Sequence, residues 1–380
     1  MIEALAFVDP MAPKGYSGAP GQLAGLGGTE ASLVKVAEAL ADSAPVVFER
    51  SWRRRPEIVS GVQYRSFDAK APLPGPIATI VVINSWKVAL RLRRLHPDAT
   101  ILLWLHVFPG RHNRGMGPAL RNADIPIICV SQSHARWLAT FLGTDAPIIR
   151  HIYNPIAEDL VPDTTQRDPD LLLFASSPHK GLNEVFQHFT VVRERWPDLR
   201  LAVADPGYLS WPTGAVPDGV TFLGRLSPEA LAQWMRRSLC LFYPQTQFAE
   251  TFGLVIAEAN AVGCPALLHA GLGANDEIAG HHGQCIDTTA PAAVERKLAE
   301  WRAVSATAPM SVTLSDALRL SAVAAAWRAE LGPQANTAEQ FFDAARPQQG
   351  AMEPDGRFVD GFLNSAIKEQ IHGTQTRHEN

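Results

Sequence analysis

Short apolar runs alternate with stretches of helical period along most of this chain, and that rhythm restricts the folds open to it. Residues 4–8 (ALAFV), 80–84 (IVVIN), 101–106 (ILLWLH) and 127–131 (IICVS) read as strands, with further ones at 46–49 and 147–152. A continuous apolar strand is buried on both faces, as in a parallel sheet covered by helices on each side. Helical stretches at 30–41 (EASLVKVAEALA), 85–95 and 133–142 fall between them. The second half repeats the pattern, with strands at 171–175 (LLLFA), 199–204, 220–223, 239–243 (LCLFY), 264–268 and 284–286. Helices are expected there at 183–195, 228–237, 253–262, 291–304 and 316–331. Such alternation specifies an α/β protein of two doubly wound parallel sheets. The expected division is 1–160, 161–332 and a tail at 333–380. The boundary is the polar stretch 157–170, which holds Pro162, Pro169 and five acidic residues. In the tail, Phe358, Val359, Phe362, Leu363, Ala366, Ile367 and Ile371 share one helical face, expected to dock on the body.

Composition narrows the function classes. With 46% hydrophobic and 19% charged residues, the chain is globular and not disordered. No apolar run reaches the roughly 18 residues of a membrane-spanning helix. Residues 1–9 lack the basic start and long apolar core of a signal peptide. Cys129, Cys240, Cys264 and Cys285 are scattered in apolar surroundings, which suits a reducing compartment. A cytoplasmic location is expected. The net charge is −4, yet residues 1–160 hold 17 Lys+Arg against 13 Asp+Glu, so the excess acid lies in the second half. With a pI of about 6.3 and no zinc-finger or RNA-recognition motif, nucleic acid is not an expected partner.

Chemistry concentrates in residues 243–265, YPQTQFAETFGLVIAEANAVGCP. A strand ends at Tyr243 and a helix is expected near Phe252. Backbone N–H groups of Phe252, Gly253 and Leu254 would be unpaired at that helix start, which with the helix dipole suits a diphosphate. Glu250 and Glu258, if both helical, would stand about 12 Å apart at ~1.5 Å per residue. Glycosidase carboxylates lie roughly 5–9.5 Å apart, so two separate jobs along one ligand fit better than a bond-cleaving dyad. Gly27 and Gly28 open another helix after a Gly-rich loop, and Lys180-Gly181 lies between a strand and a helix. Asp168-Pro169-Asp170 has a metal-binding shape but falls in the linker, where a solvated loop is expected. His281-His282 near Cys285 offers no clear four-ligand zinc set.

The 250–265 segment resembles the Glu-x7-Glu signature of retaining GT-B glycosyltransferases, in particular glycosyltransferase family 4. Glu250, Phe252, Gly253, Leu254, Glu258, Ala259, Gly263 and Pro265 fall in register with it. The resemblance implies two Rossmann-like domains facing across a cleft. It implies that Glu258 holds the ribose of a nucleotide-diphosphate sugar, that Glu250 and His106 lie at the transferred sugar, and that Lys180 neutralises the diphosphate. Gly27 and Gly28 would face the donor phosphates. No metal or other cofactor is implied. The Arg that often precedes the lysine is missing, with His179 or Arg225 as substitutes. The acceptor, a glycan, lipid-linked or small-molecule hydroxyl, would approach the first domain. Arg53, Arg54, Arg55, Lys87, Arg91, Arg93 and Arg94 there could meet an anionic acceptor or the inner face of a membrane. A sugar-nucleotide epimerase on the same scaffold, or a non-catalytic sugar-nucleotide-binding protein, are the alternatives.

Overall fold

The structure is a computed structural model. It describes residues 4–332 apart from 23–25, 44, 51–54, 206, 208–213, 281–282 and 306–311. The tail helix expectation, Arg53, Arg54 and His281-His282 lie outside the described residues.

The first sheet comprises β1 (Ala4–Asp9), β2 (Val46–Glu49), β3 (Glu57–Val59), β4 (Val62–Ser66), β5 (Ile77–Ile83), β6 (Thr100–Leu105), β7 (Ile127–Cys129) and β8 (Ile149–His151). Their order in space is β3-β4-β2-β1-β5-β6-β7-β8, and every neighbouring pair is parallel except the β3–β4 hairpin. That hairpin was not expected: residues 57–66 alternate polar and apolar side chains, so no continuous apolar run marks them. Helices α1 (Gly28–Ala39), α2 (Trp86–Leu95), α3 (Met116–Asn122) and α4 (Gln132–Leu142) accompany this sheet.

The second sheet comprises β9 (Asp168–Ala175), β10 (Arg200–Ala204), β11 (Val220–Gly224), β12 (Ser238–Tyr243), β13 (Ala266–His269) and β14 (Cys285–Ile286), wholly parallel in the order β11-β10-β9-β12-β13-β14. Its helices are α5 (Leu182–Arg195), α6 (Pro228–Arg237), α7 (Leu254–Ala261), α8 (Asn275–Ala279) and α9 (Pro291–Ser305). Strand order reverses between β9 and β12. The crevice at the carboxyl ends of such strands is where open α/β sheets bind ligands. The chain enters it from β9 with Lys180 and from β12 with Glu250.

Two local expectations change. Asp168-Pro169-Asp170 is the start of β9, not a solvated loop: Asp168 pairs with Arg200 at 2.5 Å and Asp170 pairs with Arg302. The helix expected over 316–331 divides into a 3-10 turn, Asp316–Leu318, and α10 (Leu320–Leu331). Arg319 between them is extended and forms a parallel bridge with Ile156, while its guanidinium donates to the carbonyls of Ala157 and Leu160. The interdomain strap thus interrupts the helix. Beyond it α10 crosses back to α1 and the first sheet. Trp327 is fully buried there, its ring 6.3 Å from Phe7 and 4.7 Å from Trp104.

Candidate active site between the two sheets

Glu250 sits in the loop between β12 and α7, and its side chain is almost wholly buried. Lys180 Nζ lies 2.9 and 3.1 Å from its two oxygens, and the Tyr243 hydroxyl donates to Oε1 at 3.1 Å. Phe248 provides an aromatic face 4.6 Å from Lys180 Nζ. The ammonium, the carboxylate and the ring form one cluster at the strand-order reversal. Lys180 keeps 21% of its side chain exposed against 9% for Glu250, so the charge that reaches the crevice is the lysine's. Gly181 follows with φ +89°, and a Cβ there would stand 2.6 Å from Gln245 Cβ; the close approach of the two loops needs glycine.

Helix α7 begins at Leu254, with Gly253 as its N-cap at φ +89° and ψ +61°. It therefore starts later than the expected 252–253. The Phe252 side chain is in the core, its ring 6.2 Å from Tyr153, so only its backbone can serve a ligand. Glu258 lies within α7 and is half-buried; removal from water raises its carboxyl, against the pull of Lys35 on α1. Across from α7, a Cβ on Gly28 would stand 2.8 Å from Leu254 Cδ1. The starts of α1 and α7 therefore abut. Gly27 is the N-cap of α1, and Glu30 folds back over that helix start, within 2.5 Å of where a Gly27 Cβ would be. Burial raises the Glu30 carboxyl, partly offset by a hydrogen bond from its own backbone. A local acid already occupies the anion-binding end of α1.

His106 follows β6 and is buried beside Trp104, ring centroids 4.5 Å apart. Its N–H donates to Asn84 Oδ1 at 2.7 Å, and its carbonyl accepts from Thr251 Oγ1 at 2.8 Å. Asn84 ends β5 at φ +55°, a conformation asparagine tolerates better than most residues. His106 Nε2 is buried without a hydrogen-bond partner among the described residues, the kind of orphan that calls for a ligand. Burial, with His134 as a second cause, lowers the His106 imidazole to about 3, and burial lowers His134 to about 4. Both rings are neutral near pH 7. A base held below its unfolded value of about 6.5 stabilises the fold above that pH, and the stabilisation is lost as pH falls toward the folded values. Unfolding free energy should therefore fall from pH 6.5 to pH 4 more steeply in the parent than in His134→Phe. Equal slopes in urea titrations would remove His134 as a contributor.

Sequence reasoning missed Tyr243, Phe248, Asn84 and the contacts of Thr251. Only Asn84, a turn-former after an apolar run, carried a local signal. Of the basic residues in the first domain, Arg93 donates to the carbonyls of Ala99, Ala123 and Asp124 and so serves the fold, while Lys87 lies over Trp86 at 5.7 Å. His179 packs edge-on to Phe248 at 5.6 Å, and burial lowers its imidazole; Arg225 is exposed after β11. Among the described residues no group of three or more His, Cys, Asp or Glu is placed to hold a metal ion. No described helix is long and apolar enough to cross a membrane.

Residues 166–305 match the family model of the glycosyl transferases group 1. That stretch is similar to the glycosyl transferases group 1 domain. The matched stretch spans β9–β14 and α5–α9 entire and contains Lys180, Glu250 and Glu258. The whole fold is similar to a glycosyltransferase from Rickettsia africae ESF-5, at TM-score 0.57 and 10% identity, covering 85% of this chain and 92% of that one. It is also similar to AviGT4, a glycosyltransferase involved in avilamycin A biosynthesis, at TM-score 0.54 and 17% identity, covering 86% and 96%. The architecture is therefore GT-B. The pneumococcal O-GlcNAc transferase GtfA, in complex with UDP and GlcNAc, matches at TM-score 0.49 and 12% identity over 66% of this chain, which spans 56% of GtfA's length. No curated protein matches the chain by sequence. The stretch that matches the glycosyl transferases group 1 model supplies the lysine–glutamate cluster, and His106 follows a strand of the first sheet.

Proposed function

We propose that this protein is a retaining glycosyltransferase of family 4 type that moves a sugar from a nucleotide-diphosphate sugar to a hydroxyl acceptor without a metal ion. The observation that carries the reading is the Lys180–Glu250–Tyr243 cluster at the strand-order reversal of the second sheet, joined to the His106 backbone through Thr251. In this reading the donor lies mainly on the second domain. Glu258 holds the ribose hydroxyls, and Lys180 swings from Glu250 toward the diphosphate. The backbone at 252–254 adds N–H groups to the phosphates, and the Gly27-Gly28 turn does so once the Glu30 carboxylate gives up the start of α1.

As the glycosidic bond of the donor breaks, negative charge grows on the leaving diphosphate, and a fixed cation there lowers the barrier. Glu250 then keeps a hydrogen bond to Tyr243 and is placed to accept one from a sugar hydroxyl. His106, neutral, can donate or accept at Nε2 according to its tautomer. The leaving phosphate takes the acceptor's proton, so no protein base and no covalent nucleophile are required. The acceptor enters from the first domain, whose basic residues suit an anionic acceptor or peripheral binding at the inner face of a membrane, in a cytoplasmic setting.

A thermal-shift panel of UDP, GDP, ADP and their common sugar conjugates, without metal, tests the reading. Ligand at about 100 times its Kd adds ~2.7 kcal/mol of stability. One base family should raise Tm, and no response to any of them would overturn the proposal. Glu258→Ala should weaken the responding nucleotide sugar at least tenfold. Lys180→Ala should weaken the nucleoside diphosphate itself, and unchanged affinity would take Lys180 out of the phosphate site.

A further inference from the structure

We propose that Glu277 is a positioning residue that locks α8 of the second domain onto the N-terminus of α4 in the first, and thereby sets the separation of His106 and Glu250. Its catalytic part rests on the glycosyltransferase reading above; the lock itself does not.

Glu277 Oε1 accepts from Gln132 N–H at 2.8 Å, and Oε2 accepts from Ser133 N–H at 2.7 Å. These are the first two residues of α4, whose early N–H groups have no partner within the helix. A carboxylate there gains two charge-assisted hydrogen bonds and the favourable end of the helix dipole. Burial alone would raise the Glu277 carboxyl, yet hydrogen bonds from Ser133, Gln132 and Tyr153 hold it below the usual range. The charged form is thus the one bound, and it is bound by the other domain.

The lock is mechanically joined to both sides of the candidate site. Ala274, the N-cap of α8, donates its N–H to the Glu250 carbonyl at 3.0 Å. Gly273 lies so close to the Glu250 backbone that a Cβ there would strike its N and O. On the other side, the N-cap of α4 is Ser131, whose hydroxyl donates to the Thr251 carbonyl at 2.6 Å. Thr251 in turn donates to the His106 carbonyl. Each domain therefore grips the other within a residue or two of a proposed active-site side chain. In this set Glu277 supplies the carboxylate and accepts three of the five hydrogen bonds, from Gln132, Ser133 and Tyr153.

Glu277→Gln keeps the size but offers one acceptor and turns an N–H₂ toward a second N–H. Hydrogen exchange of the Gln132 and Ser133 amides reads the lock without ligand. Steady-state kinetics and donor binding read its catalytic role. In Glu277→Gln, exchange at these two amides should accelerate at least tenfold and kcat should fall at least tenfold. Donor Kd should stay within about twofold, because the donor lies on the second domain. Glu277→Asp, which keeps the charge on a shorter arm, should fall between parent and Gln in both readouts and serves if the Gln variant does not fold. Parent-like exchange in Glu277→Gln would overturn the lock. Faster exchange with parent-like kcat would overturn the positioning role. If the parent turns over no donor, the glycosyltransferase reading and the positioning role fall together, while the exchange result still decides whether Glu277 clamps the domains.

Discussion

Trp327→Ala is expected to lower the unfolding free energy by about 3–5 kcal/mol, the usual cost of truncating a buried large aromatic to alanine. Trp327 is the anchor by which α10, at the end of the described chain, returns to the first sheet. It contacts both Phe7 on β1 and Trp104 on β6. Around it, Arg150 pairs with Glu330 at 2.6 Å, and Arg328 donates to the carbonyl of Ala39 at the end of α1. The cavity would open between α10 and the first sheet, so the first domain should loosen before the second. Trp327→Phe should cost much less, since the indole N–H has no hydrogen-bond partner among the described residues and leaves none behind. Urea melts of both variants check this, and an alanine variant within about 1 kcal/mol of the parent would show that α10 contributes little to the fold.

Glu250→Gln is expected to reduce donor turnover on the order of 100-fold, in the range found when one preorganised electrostatic contact is removed from an active site. The amide preserves the volume and one acceptor for Tyr243, so the loop should hold its shape. What changes is the charge: Lys180 loses its carboxylate at 2.9 Å, and the sugar loses a charged acceptor. Removing one member of a buried ion pair also destabilises, by roughly 3–5 kcal/mol in the fully buried case. The exposed fifth of Lys180 allows water to reduce that cost. Donor affinity should hold or rise, because Lys180 no longer has to leave an anion to meet the diphosphate. Release of nucleoside diphosphate from the donor that raises Tm is the measurement. Parent-like kcat would remove Glu250 from the proposed chemistry, whatever the stability change.

The regular elements were legible where the side chains repeat a physical pattern. The inner runs of β6, β9 and β12, residues 101–105, 171–175 and 239–243, are buried on both faces, so they are apolar and stand out in the sequence. Helix α6 carries its start in Ser227 and Pro228: the Ser227 hydroxyl accepts from Ala230 N–H at 3.2 Å. The β3–β4 hairpin was hidden because it lies at the sheet edge with one side toward water. The 3-10 break before α10 was hidden because its cause is distant: Ile156 pairs with Arg319 across 163 positions of chain. Residues 319–331 have the composition of one helix with what precedes them, and only the strap says where it stops.

For the site, the sequence by itself determined the parts: two doubly wound sheets, a glutamate pair with seven residues between, a lysine after a strand and a histidine at another strand's end. Those follow from local pattern, since hydrophobic period and turn chemistry act over a few residues. The tertiary structure alone decided how the parts meet. It paired Lys180 with Glu250 across 70 residues, left His106 Nε2 buried without a partner among the described residues, laid Gly28 against Leu254, and set Glu277 on the first turn of α4. Ion pairs, desolvation and helix-end contacts depend on distances in space, and a parallel sheet brings its strand ends together only after long crossovers.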